Sequence, residues 1–197
     1  MGYVTKDCRK GGTRVGLNWP FMSIEEFAAM TGEEAIRVEL VRGEPVPLEG
    51  ATPQVALIRD GLVGLLRDYL GVQRLGIAVG EVDCRTTYDT VRRPDLSYFS
   101  RERWLLVDPR RIPLPFTPDI AVEILSPSEK AVEVNSKVAE YLAAGSVEVW
   151  VIDPQNIQLM IRSANSVLVL GAGDRLESPL LPGFSFGVSE ALAGPEL

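Results

Sequence analysis

Apolar and polar positions change period several times along the chain, and each change predicts an element. Trp19 to Thr31 reads as a short helix. Ser23 and Glu26 have capping-box spacing there, and Phe21 and Phe27 flank its start as a hydrophobic staple. "VELVRGEPVPL" predicts a hairpin of Val38–Val41 and Pro45–Leu48 around Arg42-Gly43-Glu44, with Pro45 and Pro47 placing the second strand at an edge. Thr52-Pro53 opens a long helix from Gln54 to Leu70, its apolar face carried by Ala56, Leu57, Val63, Leu66 and Leu70 and its end set by Gly71. "GIAVGEVDCRTT" and "RRPDLSYFS" are strands divided by the polar turn Tyr88-Asp89-Thr90. Pro109, Pro113, Pro115 and Pro118 make residues 101–118 a surface loop, expected beside a functional site.

"DIAVEIL" is apolar on both faces and so predicts a central strand. A second helix follows over residues 128–144. Ser126 and Glu129 stand at capping-box spacing, Pro127 at the first helical position, and Gly145 at the end. "VEVWVID" is another buried strand, "IQLMIRS" and "SVLVLG" its antiparallel neighbours, and a turn and short helix close the chain. Residues 1–18, basic and without periodicity, form a flexible N-terminal arm. Residues 19–197 form one domain, with no internal repeat. The expected architecture is α/β: a central mixed sheet flanked by helices, with an N-terminal hairpin.

Three residues stand out against this pattern. Alternation points Glu123 the same way as Ala121 and Leu125, into apolar surroundings where a lone carboxylate is costly. It therefore has a cation or a hydrogen-bond donor beside it, and a structural ion pair satisfies that as well as a metal does. Asp95 shares a face with Ser97 and Phe99, and capping a turn is its plain alternative. Lys137 lies at the margin of the stripe formed by Ala131, Val134, Val138, Tyr141 and Leu142, where a lysine commonly covers apolar surface with its stem. Asp119 is a rival acid on the strand of Glu123, four residues away and too distant to share one ion with it.

Composition narrows the chemistry. The chain contains no histidine, which removes Ser-His-Asp and Cys-His nucleophiles and imidazole metal sites together. Cys8 and Cys84 are too few for a structural zinc site. Any metal here is held by oxygen, which favours hard cations such as Mg²⁺ or Mn²⁺. The net charge of −7 opposes non-specific nucleic-acid binding, although Arg92, Arg93, Arg101, Arg103, Arg110 and Arg111 gather around the Asp95 strand in sequence. No apolar run approaches the roughly 20 residues of a membrane span, and Lys6, Asp7, Arg9 and Lys10 interrupt any leader-like segment, so a cytoplasmic protein is expected.

Taken in order, "VELVRGE", "RRPDLSYFS", "PDIAVEILSPS", "KVAEYLAAG" and "VEVWVIDP" resemble the successive motifs of the Uma-two family, a bacterial group with the restriction-endonuclease-like PD-(D/E)XK fold. The resemblance runs over residues 19–192. It implies a Mg²⁺- or Mn²⁺-dependent nuclease acting on nucleic acid, DNA first among substrates, with Asp95, Glu123 and Lys137 as the catalytic set. The parent pattern places its lysine two residues after the glutamate, where this chain has Leu125; the family moves it to the following helix, here Lys137. Asp95, Glu123 and the backbone carbonyl of Ile124 are then the implied metal ligands, and Glu39, the acid of the "ELxxGE" motif, an outer member of the site. Gln54, Glu133 and Val149 depart from the residues usual in relatives. The alternative is a catalytically inactive relative retained as a binding or dimerisation module, and the apolar hairpin and late strands are compatible with a homodimer.

Overall fold

The computed structural model describes residues 21–30 and 38–192; the basic arm expected over 1–18 lies outside the described residues. Helix α1 (Ile24–Ala28) starts at the expected capping box, with Ser23 and Glu26 bonding each other's backbone amides. The residue that staples its start is Met22, which packs with Phe27, whereas Phe21 is exposed. Strands β1 (Val38–Val41) and β2 (Glu44–Pro47) are joined by Arg42-Gly43. Both turn residues have positive φ, the geometry that matches a two-residue turn to the twist of its strands. The proline-bearing β2 is indeed an edge strand.

Helix α2 (Pro53–Gln73) is capped by Thr52 and continues past Gly71. Nothing in its surroundings requires glycine at 71, and the helix ends only where Arg74 turns left-handed. Its buried face is Val55, Ile58, Leu62, Val63, Leu66 and Leu70, so the expected stripe is rotated and Leu57 is exposed.

The segments expected as two long strands break into four: β3 (Gly76–Gly80), β4 (Cys84–Arg85), β5 (Val91–Arg92) and β6 (Leu96–Ser100). The reason is topological. β4 and β5 join the hairpin in a four-stranded sheet of order β2-β1-β5-β4, while β3 and β6 belong to a six-stranded sheet. The chain therefore changes sheets twice, and Asp95 sits at the second crossing, between β5 and β6. The 101–118 segment opens with a helical turn, α3 (Arg101–Trp104), and packs Trp104, Leu114 and Phe116 around Phe99. It lies away from the cleft described below, so the expectation of a loop beside the site fails.

β7 (Ile120–Ile124) is buried at every position, as expected of a central strand. Helix α4 (Ala131–Ala143) starts four residues later than Pro127 predicts, because Ser126 to Glu129 form a separate turn in which Glu129 caps the Ser126 amide. β8 (Glu148–Asp153), β9 (Gln158–Arg162), β10 (Val167–Leu170), β11 (Arg175–Glu177), β12 (Ser185–Gly187) and α5 (Val188–Leu192) complete the chain. The large sheet has order β10-β9-β8-β7-β6-β3; only β7 and β8 are parallel, joined by α4 as a crossover. Edge strand β10 exposes Val167, Leu168 and Val169. Among the described residues, no helix is long and apolar enough to cross a membrane.

Alternation along β6, β7 and β8 divides the core. One face packs Val122, Ile124, Trp150 and Ile152 against α2 and the C-terminal residues. The other packs Ala121, Val149 and Val151 against Val134, Val138 and Tyr141 of α4. Ser97 pairs with Ala121, so Asp95 and Glu123 both belong to the α4 face. At the sheet edge, β3 and β6 approach so closely that a Cβ on Gly76 would lie 2.0 Å from the Phe99 carbonyl oxygen. Gly76→Ala is expected to cost about 3 kcal/mol through backbone displacement. In a domain of this size that lowers Tm by roughly 6–12 °C in a thermal melt; an unchanged Tm would mean that the edge has room.

Candidate active site

Glu123 stands one residue before the end of β7, under helix α4. Lys137 and Tyr141, one helical turn apart on the same face of α4, both reach it. The Lys137 Nζ donates to Glu123 Oε2 at 3.0 Å, and the Tyr141 hydroxyl donates to Oε1 at 2.7 Å. The buried acid thus has the cation that its position demanded, together with a second donor. Tyr141 was expected only as part of the apolar stripe. The available signal was its chemistry, since a fully buried tyrosine hydroxyl needs a partner.

Asp95 reaches across from the start of β6. Its Oδ2 accepts the Ile124 amide at 2.7 Å, which fastens the sheet crossing to the end of β7. Backbone N–H and C=O of one extended residue leave a strand on the same side, so the Ile124 carbonyl leaves β7 on the side of β6. Among the described residues, Asp95 Oδ1 has no hydrogen-bond partner. Glu39 is fully engaged: Oε2 pairs with Arg92 Nη1 at 2.8 Å and Oε1 accepts the Arg93 amide at 2.8 Å. Arg92 continues to both oxygens of Glu140, at 2.6 and 3.0 Å. One guanidinium therefore ties the hairpin, β5 and α4 together beside the acids, and Arg93 pairs with Asp83.

Asp95, Glu123, Lys137, Glu39, Arg92 and Arg93 line one cleft of about 690 Å³. Its walls carry seven carboxylates, including Glu49, Glu81, Glu129 and Glu133, against Arg92, Arg93 and Lys137. The six arginines adjacent in sequence do not form a basic face. Arg103 is held at the opposite end of β7 by Asp119 and by the carbonyls of Thr117 and Gly145. Arg110 and Arg111 pair with Asp108 on an exposed loop. Asp119, which also accepts the Ser100 amide, is structural.

Burial pushes the Asp95 carboxyl up to about 6, against the pull of the Ile124 amide and Lys137. Burial also pushes Glu123 up to about 7, with Lys137 opposing and Asp95 and Glu39 assisting. For Lys137, burial alone would lower the pKa, but Glu123, Glu39 and Glu129 outweigh it and hold the ammonium above its usual range. Burial likewise keeps the Tyr141 hydroxyl protonated.

Among the described residues, no group of three or more Asp, Glu, Cys or His side chains surrounds a common point. Two carboxylates and a carbonyl nonetheless fit Mg²⁺ or Mn²⁺, since such ions commonly bind through one or two carboxylates and retain water. Asp95 Oδ1 is available to a cation, whereas a cation at Glu123 would share an oxygen with the Lys137 or Tyr141 donor or displace it.

The raised carboxyl values fix the direction of a pH effect. Folded Asp95 keeps its proton up to about 6 whereas the unfolded chain releases it near 3.8, so ionisation costs stability as pH rises through that interval. Asp95→Asn, which retains an acceptor for Ile124, is expected to raise Tm at pH 8 and to lose that gain by pH 4. A gain of equal size at both pH values would exclude a strained carboxylate.

A family model, Uma2, described as "Putative restriction endonuclease", matches residues 24–189. A crystal structure described as "a putative nuclease belonging to DUF820", from Anabaena variabilis, superposes with a TM-score of 0.75 at 20% identity, covering 87% of this chain and 98% of that one. That likeness establishes a shared fold. No curated protein matches the chain. With the family match spanning both acid strands, the hairpin and the lysine helix, the chain belongs to the Uma2 family and has its restriction-endonuclease-like α/β fold.

Proposed function

We propose that this chain is a divalent-metal-dependent nuclease that hydrolyses phosphodiester bonds in DNA. The observation that supports it best is the convergence of Asp95, Glu123 and Lys137, from two strands and a helix, in one cleft. Asp95, Glu123 and the Ile124 carbonyl would hold Mg²⁺ or Mn²⁺, which when bound supplies Lewis-acid polarisation of a phosphate oxygen and acidifies water. Lys137, held protonated, donates rather than accepts. Its ammonium orients the attacking water and offsets the negative charge that builds on the phosphoryl oxygens. Tyr141 fixes the Glu123 carboxylate from beneath, and Glu39 acts through Arg92 and the Arg93 amide to hold the crossing strand that carries Asp95.

The acidic walls make this reading conditional on cations. Without them the cleft repels a phosphate backbone; with them the same carboxylates favour the metal–phosphate pair. One observation supports the alternative of a non-catalytic binding or dimerisation module. Both oxygens of Glu123 and of Glu39 are already satisfied by side-chain or backbone donors.

The two readings part on metal binding. A ligand that binds only the native state must raise its stability, so the nuclease reading predicts a higher Tm with millimolar Mn²⁺ or Mg²⁺. It also predicts that Asp95→Ala and Lys137→Ala each lower Mn²⁺-dependent cleavage of plasmid DNA by roughly 10²–10⁴-fold. No thermal shift with either ion, together with no cleavage by the unsubstituted chain, would favour the binding module.

A further inference from the structure

The satisfied state of Glu123 raises a question that the proposed nuclease reading leaves open: where Lys137 goes when a cation arrives. The Lys137 Nζ is 3.0 Å from Glu123 Oε2 and 3.6 Å from Glu129 Oε1. An ammonium and a divalent ion on the same oxygen repel each other, most strongly where water is scarce, and the arriving ion pushes Lys137 away from Oε2. Lys137 is largely buried, with its side chain 16% exposed. Its second carboxylate partner among the described residues is Glu129.

Glu129 is built for that task. Its Oε2 accepts the Ser126 amide at 2.8 Å, two residues beyond the end of β7, so its carboxylate is anchored to the strand end that carries Glu123. The remaining oxygen, Oε1, faces the ammonium at a distance too long for a hydrogen bond and short enough to close by one side-chain adjustment. Glu129 lines the same cleft as Asp95 and Glu123. We propose that Glu129 is a positioning residue that receives the Lys137 ammonium when a divalent cation takes Glu123, keeping the lysine inside the cleft beside the phosphate. The inference rests on the metal-dependent reading above. It assigns a function to a residue outside the Asp95, Glu123, Lys137 and Glu39 set.

The test is a double-mutant cycle on Mn²⁺ affinity, measured by titration calorimetry without nucleic acid. The four proteins are the unsubstituted chain, Glu129→Gln, Lys137→Gln and the double variant. Glutamine at 129 keeps an acceptor for the Ser126 amide. If Glu129 receives the lysine, Glu129→Gln weakens Mn²⁺ binding about tenfold, Lys137→Gln tightens it, and Glu129→Gln in the Lys137→Gln background changes it by about twofold or less. An equal loss in both backgrounds would show that Glu129 acts on the ion by its own charge or through the Ser126 turn, and would overturn the proposal. So would an unchanged affinity in Glu129→Gln. Absence of Mn²⁺ binding by the unsubstituted chain would instead remove the metal reading itself, and this inference with it.

Discussion

The site depends on one constraint: a carboxylate placed inside a two-layer apolar core must be neutralised there. β7 is buried on both faces, and alternation turns Glu123 toward the underside of α4. Desolvating an unpaired carboxylate is among the most expensive events in folding. Lys137 and Tyr141, placed on one helix face by their four-residue spacing, answer that cost. The same contacts specify how α4 sits on the sheet, because rotating the helix by one residue would carry both donors away from the acid. The neutralisation of Glu123 and the packing register of α4 are therefore one arrangement. Removing either partner of a buried pair is correspondingly more damaging than its contact distance suggests.

A second, longer network sets the cleft beside this core. Glu39 in the hairpin, Arg92 in the small sheet and Glu140 on α4 share one guanidinium, and the Arg93 amide closes on Glu39. These contacts brace the segment that passes from the small sheet to the large one, where Asp95 meets the Ile124 amide. Negative charge accumulates in the cleft as a result. That accounts for an acidic cleft in a restriction-endonuclease-like fold: the cationic side chains near it are consumed in holding acids.

Much of this was legible in the chain because it rests on local periodicity. The hairpin turn, the Thr52 and Ser23 caps, the buried β7 and the inward Glu123 follow from positions a few residues apart. Asp95, Glu123 and Lys137 could be singled out, yet not shown to meet, since their meeting depends on strand order. What stayed hidden is long-range. Arg92 binding Glu39 and Glu140 spans about fifty residues, so six neighbouring arginines could pass for a basic patch although Arg92, Arg93, Arg103 and the Arg110–Arg111 pair are held by separate sets of acids. The long strand "GIAVGEVDCRTT" breaks because two sheets compete for it, which no local propensity encodes. Helix ends misled in the same way. Gly71 permits a stop without enforcing one, and the Ser126–Glu129 turn uses its capping residues before the helix begins.

The proposed cation site at Asp95 and Glu123 requires Lys137 to yield. The most direct measurement is a crystal structure after a Mn²⁺ soak, with the ion located by its anomalous scattering. The account predicts a peak within bonding distance of Asp95 Oδ1 and a Glu123 oxygen, with the Lys137 ammonium moved from Glu123 toward Glu129. A cleft without Mn²⁺ at millimolar concentration, with Lys137 still on Glu123 Oε2, would contradict it and leave the triad as an ion pair of the core.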